Sequence, residues 1–361
     1  MYLKIETKKE LVELVNTLNN APENWLAIDT EFFRETTYYP VLSLIQIATS
    51  DQVWVIDVIN CGDVAPLKII LENKKIKKIF HAGEQDWELL KRYTDAKTWP
   101  YVDIQYMAAF AKHGYGASLE TIALEVLGMV VDKSQQKTNW LDRPLKDEQL
   151  TYAAKDAQLI AMIFPLLEQS ISDLGRSSWI EEEMQALLQR YENVNFDREW
   201  LKLCGNSNMK WPIPYYAYQL TKFREDFAKK LDVPRKRIIP DDVLEKVLQK
   251  KSIDCVENIK ILPEIYDALK IFWQTLKEQD TNFVEQRPWI EQMVTDYHKR
   301  FSKEHISQMK AWKKFAKKIA KELGISPFLF LNKKQIQKLA DKDTSSITGW
   351  RHELLSNLGK I

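Results

Sequence analysis

An apolar run that ends in two acids one residue apart, Trp25-Leu26-Ala27-Ile28-Asp29-Thr30-Glu31-Phe32, constrains this chain more than any other stretch. The run reads as a buried β-strand. Side chains two apart on a strand leave on the same face, roughly 6.5–7 Å along the backbone. Asp29 and Glu31 therefore converge at a strand end, and two hard carboxylates so placed suit Mg²⁺ or Mn²⁺. A strand that merely ends in solvated acids gives the same pattern, so the choice falls to the rest of the sequence.

The neighbouring stretches predict an α/β domain. Residues 8–19 have the spacing of an amphipathic helix and are followed by an Asn20-Ala21-Pro22 turn. Residues 41–48 and 52–57 are β-rich and flank Thr49-Ser50-Asp51, a hairpin signal. Helices are expected over 64–71, 84–93, 101–111, 118–127 and 147–169, with a short strand at 77–81. Three neighbouring strands and then alternating helices and strands describe a mixed sheet with flanking helices. After residue 170 the β-signals fade. A helix over 175–191 carries an acidic turn at Glu181-Glu182-Glu183, and 204–214 clusters turn and breaker residues, the best linker candidate.

The helical remainder repeats itself. Residues 223–248 align without a gap to 315–340: Phe223 meets Phe315, Phe227 Ile319, Ala228 Ala320, Leu231 Leu323, Val233 Ile325 and Leu244 Ile336. Apolar positions match while surface charges differ, as in two copies of one small helical fold. Residues 1–170 hold 18 Lys and Arg against 24 Asp and Glu, and residues 171–361 hold 34 against 27. An acidic front and a basic rear suit a metallonuclease with an added nucleic-acid grip, and equally two ordinary domains of different surface charge. Cys61, Cys204 and Cys255 are scattered and form no CxxC, which excludes a disulfide framework and a zinc site and fits a reducing cytosol. No signal peptide or membrane span is expected from the sequence.

Two further acidic positions join the first. Asp86 lies in IFHAGEQDWELL, in the first turns of a helix, where an acid also complements the helix dipole. Tyr152 and Asp156 are four apart on a helix and share a face, roughly 6 Å apart, as on any amphipathic helix with one polar edge. Together, Asp29, Glu31, Asp86, Tyr152 and Asp156 resemble the catalytic set of the DEDDy 3′–5′ exonucleases. The stretches AIDTEFFRETTYYPVLSLIQIA, IFHAGEQDWELL and DKSQQKTNWLDRPLKDEQLTYAAKDA resemble the three motif regions of the ribonuclease D family. The helical repeats resemble its helicase-and-RNase-D C-terminal (HRDC) module. The likeness spans nearly the whole chain, with Asp103-Ile104-Gln105 standing where the family pattern has Asp-Thr-Gln.

The resemblance implies an RNase H-like exonuclease domain over 1–170, a connecting helix and linker over 171–212, an HRDC domain over 213–290 and a divergent copy over 295–361. It implies a cytoplasmic exoribonuclease that trims tRNA precursors and other structured RNAs from the 3′ end, with RNA as its partner and no membrane or obligate protein partner. Two Mg²⁺ or Mn²⁺ ions would be held by Asp29, Glu31, Asp86 and Asp156. Tyr152, a poor base at neutral pH with an ordinary pKa of about 10, would orient the attacking water. Thr30, Phe32 and His81 are candidate substrate contacts, with Phe32 and His81 equally readable as packed residues. Lys74, Lys75, Lys77 and Lys78 read as a solvated edge. Lys229, Lys230, Arg235, Lys236 and Arg237 in one copy, and Lys310, Lys313, Lys314, Lys317, Lys318 and Lys321 in the other, are candidate phosphate contacts. A DNA exonuclease and a silent RNA-binding scaffold are the rival readings.

Overall fold

The computed structural model describes all residues except 132–137, 193–198, 206–208, 255–261, 280–283 and 300. Its contacts divide it into two compact units, one of residues 1–33, 42–193 and 302–361, the other of 34–41 and 194–301.

The first unit is built on a six-stranded mixed sheet. The strands are Tyr2–Ile5 (β1), Trp25–Phe33 (β2), Val41–Ala48 (β3), Val53–Asp57 (β4), Lys77–Phe80 (β5) and Tyr101–Asp103 (β6), in the order β1-β4-β3-β2-β5-β6. The hairpin expected at 41–57 is the antiparallel β3–β4 pair, with Leu44 opposite Asp57 and Ala48 opposite Val53. On the other side of β2, β5 and β6 run parallel in succession, with Ala27 opposite Ile79 and Phe80 opposite Asp103. Leu26, Ala27 and Ile28 are buried, as expected of a central strand covered on both faces. The helix Asp147–Asp173 packs on β2, β4 and β5. Its buried Ala153, Ala157, Ile160, Ala161 and Phe164 follow helical spacing, and the small alanines let the backbone come close to the sheet. That helix is long and apolar enough to cross a membrane by length and composition, contrary to the sequence expectation, but over half of its most apolar window is buried inside this unit.

Sequence reading assigned no element to the first strand, and two local expectations need correction. Tyr2–Ile5 is a strand, paired in parallel with β4. Residues 101–111 are not one helix: Tyr101–Asp103 is an edge strand, and the helix Ile104–Phe110 begins where the Asp103 side chain accepts from Gln105 N–H at 2.9 Å. Lys78 is not on a solvated edge. It is fully buried, donating to the carbonyls of Asn73, Ile76 and Trp99 at 2.9, 2.7 and 2.5 Å, and burial pushes its ammonium down to about 7. Three carbonyls supply what water would have given.

The repeat is carried into helix boundaries. The helices Ile213–Leu231, Arg235–Ile238 and Asp241–Lys250 reappear 90 to 92 residues later as Lys303–Leu323, Pro327–Phe330 and Lys333–Ala340. The first helix of each set stops at a left-handed residue, Asp232 in one and Gly324 in the other, where the absent Cβ makes glycine the easier choice. The second set belongs to the unit that holds the sheet. Glu183 of the helix Ser177–Glu192 accepts from the Trp350 indole at 3.1 Å and pairs with Arg351, whose Nε donates to the Phe330 carbonyl at 2.8 Å. Arg176 spans Phe110 O and Leu323 O at 2.5 Å each. In the other unit, buried Glu225 accepts from Tyr38 and Arg235, around a core that includes Trp200, Leu220, Leu244 and Trp273.

Candidate active site

β2 delivers Asp29 and Glu31 to one point, and the helix Asp147–Asp173 delivers Asp156 to the same point. One carboxylate oxygen from each lies within 4.8 Å of the others, a spacing on which one cation can be held by all three. The three are half-buried. Burial and mutual repulsion raise Asp29 and Glu31 well above the usual carboxylate range. Burial pushes Asp156 up to about 6 against a bond from Tyr152, with Glu120 raising it further and Lys155 opposing.

Asp86 is buried in the first turn of the helix Glu84–Thr94 that follows β5. Its carboxylate accepts from Thr30 Oγ1 at 2.5 Å, and burial pushes it up to about 6 despite that bond. Its charge raises both Asp29 and Glu31, so it faces the same cluster. An acid serving only the helix dipole would sit in water. Gly83 leads that helix, and a Cβ there would lie 2.5 Å from Phe80 Cβ and 2.9 Å from the Tyr101 hydroxyl. Any larger residue would shift the turn that aims Asp86.

Tyr152 is half-buried and hydrogen-bonded to Asp156. Burial and the charges of Asp156 and Glu31 hold its phenol far above its ordinary value. Its ring lies 6.4 Å from that of Trp140. Thr30 is buried, with its hydroxyl on Asp86 and its backbone N–H on the Asp29 carboxylate, so it fixes two acids. Phe32 is half-buried on β2. His81 places Nε2 3.0 Å from the Ala117 carbonyl and stands beside Asp103.

Sequence reading named Asp103 only as part of a family motif and gave it no place in the site. This buried acid accepts from Ala82 N, Gly83 N and Gln105 N at 3.1, 3.1 and 2.9 Å, which fixes the turn before Asp86. The signal was an acid followed two residues later by the first free helical N–H, obscured by reading 101–111 as continuous helix. Ile104 is fully buried, so the departure from Asp-Thr-Gln fills the core at that position. Among the basic clusters, Arg235 is spent on Glu225 and Lys236 lies 3.7 Å from Asp241. Lys310, Lys313, Lys314, Lys317, Lys318 and Lys321 are all exposed.

Acids gathered where a central strand of a mixed sheet ends, backed by a tyrosine one helical turn before the last, define a 3′–5′ exonuclease of the DEDD class. The family described as 3′–5′ exonuclease matches residues 2–172. A ribonuclease D of Bartonella henselae is 28% identical, over 98% of this chain and 88% of its own length. That of Zymomonas mobilis is 35% identical over 65% of this chain and 60% of its own. The crystal structure of Escherichia coli RNase D, at 22% identity, covers 99% of this chain and 97% of its own with a TM-score of 0.80, and shows the shared fold. The chain belongs to the ribonuclease D family.

Proposed function

We propose that the protein removes nucleotides one at a time from RNA 3′ ends and releases 5′-mononucleotides. The observation that carries this reading is the convergence of Asp29, Glu31 and Asp156 within 4.8 Å, with Asp86 facing them. Such a donor set, all oxygen and rich in negative charge, fits hard divalent cations, Mg²⁺ or Mn²⁺. Asp29, Glu31 and Asp156 would hold one ion, with Asp29 shared and Asp86 serving a second. Bound there, the ions supply charge stabilisation at the scissile phosphate and lower the pKa of water. Tyr152 keeps its proton at neutral pH, because burial and neighbouring acids hold the phenol up. It therefore orients the attacking water by hydrogen bonding and does not act as the base. Thr30 holds Asp29 and Asp86 in register, while Phe32 and His81 line the approach for the terminal nucleotide.

The substrates are 3′-extended tRNA precursors and other structured RNAs, met in the cytoplasm. Support comes from the Escherichia coli protein, described as an exoribonuclease involved in structured RNA processing. In this reading residues 1–170 form the exonuclease domain, 171–212 the connection, and 213–290 and 295–361 two HRDC-like modules that grip RNA. The exposed lysines of the helix Lys303–Leu323 provide sequence-independent phosphate contacts. The test pairs a 3′-extended tRNA with a matched single-stranded DNA, both 5′-labelled, with Mg²⁺, Mn²⁺ or EDTA, using wild type and Asp29→Asn. A metal-dependent ladder on RNA, weak on DNA and lost in the variant, is the expected result. Equal or better DNA degradation would make the enzyme a DNA exonuclease, and RNA binding without cleavage would make it a scaffold.

A further inference from the structure

The loop that enters the helix of Tyr152 and Asp156 is fastened to the sheet by one arginine. Arg143 aims Nε and Nη2 at the two carboxylate oxygens of Asp57, at 2.8 and 2.9 Å. Nη2 also donates to Ser43 Oγ at 3.1 Å, and Nη1 to the Trp140 carbonyl at 2.8 Å. Ser43 Oγ in turn donates to that same Trp140 carbonyl at 2.5 Å. Ser43 is on β3 and Asp57 ends β4, next to each other in the sheet because Leu44 is the partner of Asp57. Asp57 is itself fixed, accepting from Ile59 N and Asn60 N at 3.1 Å each. The Trp140 backbone is thus held to two strands, and its buried ring meets the ring of Tyr152 at 6.4 Å and 33°. Gln149 adds a second tie, donating to Thr138 Oγ1 at 3.1 Å and accepting from Lys146 N at 3.0 Å.

Packing alone needs no such fork. A planar guanidinium that satisfies a buried carboxylate, a hydroxyl and a carbonyl together fixes a backbone position to a fraction of an ångström, which a lysine's point charge does not. What the fixed position presents is the ring against which Tyr152 rests. We propose that Arg143, with Asp57 and Ser43 behind it, is a positioning residue for Tyr152, acting through Trp140. This rests on the role given to Tyr152 above. Tyr152 needs such support because its hydroxyl is aimed from a half-buried ring with rotamer freedom of its own, and a small misplacement of an orienting group costs rate.

The test is a double-mutant cycle on turnover of a 3′-extended RNA at saturating Mn²⁺, with hydrogen exchange in EDTA as a readout free of metal and substrate. Arg143→Lys is expected to lower turnover about tenfold, the scale of lost outer-shell orientation, with half-saturating RNA unchanged. In a Tyr152→Phe background the same change is expected to cost less than about twofold, because the group it positions is gone. Asp57→Asn, which keeps an acceptor for Ile59 and Asn60, is expected to follow Arg143→Lys with a smaller loss. In EDTA, Arg143→Lys is expected to speed exchange at the Leu141 and Lys146 amides while leaving β2 protected. Losses that multiply in full across the cycle, or Arg143→Lys turnover equal to wild type, would overturn the positioning role. A wild type that leaves RNA intact would overturn the reading of the site and this role with it. A wild type that degrades RNA with fully multiplying losses would overturn this role alone.

Discussion

Around β2, four acids (Asp29, Glu31, Asp86 and Asp156) are packed with their charges facing one another, and burial raises them all. Elsewhere the same chain buries acids quite differently. Glu183 meets Arg351, Asp57 meets Arg143, and Glu225 meets Arg235. Burial alone would raise Glu225, yet bonds from Arg235 and Tyr38 bring it below its usual range. Among the described residues, these three buried acids are met by arginine, and the four around β2 are paired with none. Leaving charge uncompensated in a low dielectric is costly, and such a cluster is consistent with metal binding.

The largest expected effect of breaking this contrast is on activity. In the proposed mechanism Asp29→Asn removes a charge that the reaction needs, and RNA degradation should fall by about 10²–10³-fold, on the scale of losing a preorganised stabilising group. A timed gel of labelled RNA checks this. On the paired side, Glu183→Ala strips Arg351 of its carboxylate inside the fold, and breaking such a pair costs about 3–5 kcal/mol. Denaturant melts should show the loss, with the unbroken Asp29→Asn variant showing none of it.

The pH dependence of the metal-free protein sharpens the contrast. Asp86 sits at about 6 in the folded chain against an ordinary 3.8, so folding takes up a proton between those values. Its contribution is greatest below about 4 and is lost as pH rises to about 6, on the order of 3 kcal/mol in all. Melts in EDTA across that window should fall for wild type and fall less steeply for Asp86→Asn, which leaves Asp156 titrating there. Glu225 is shifted the other way, so its contribution is present at neutral pH and is lost as pH falls through its lowered value. The smallest effect is expected from the surface. Lys313→Gln, Lys314→Gln and Lys317→Gln together should weaken RNA binding a few-fold and reduce its dependence on log salt by about 2, measured by filter binding.

The two kinds of acid also differed in how far the sequence announced them. Asp29 and Glu31 were legible because strand periodicity and a shared face follow from local spacing alone. Tyr152 and Asp156 were legible by helical spacing, and the family likeness drew them together with Asp86. The paired acids were not. Glu183 read as one of three acids in a turn, and its partner lies 168 residues away. Arg235 read as a phosphate contact, because nothing in its neighbours shows that Glu225 takes its guanidinium. Lys78 read as solvated for the same reason: the three carbonyls that bury it come from the loops before β5 and β6. The strands β1 and β6, four and three residues long, carry too few positions for alternation to show. Pairings across the sheet and between distant helices are tertiary facts, which periodicity does not carry.

One set of thermal melts at neutral pH, wild type and Asp29→Asn, each in EDTA and in Mn²⁺, tests the unpaired cluster most directly. If the cluster's charge is left without an arginine partner, Asp29→Asn should melt a few degrees above wild type in EDTA. Mn²⁺ should then raise wild type substantially and the variant little. A variant that melts below wild type in EDTA, or that gains as much from Mn²⁺, would contradict the claim that these acids are left uncompensated for a cation.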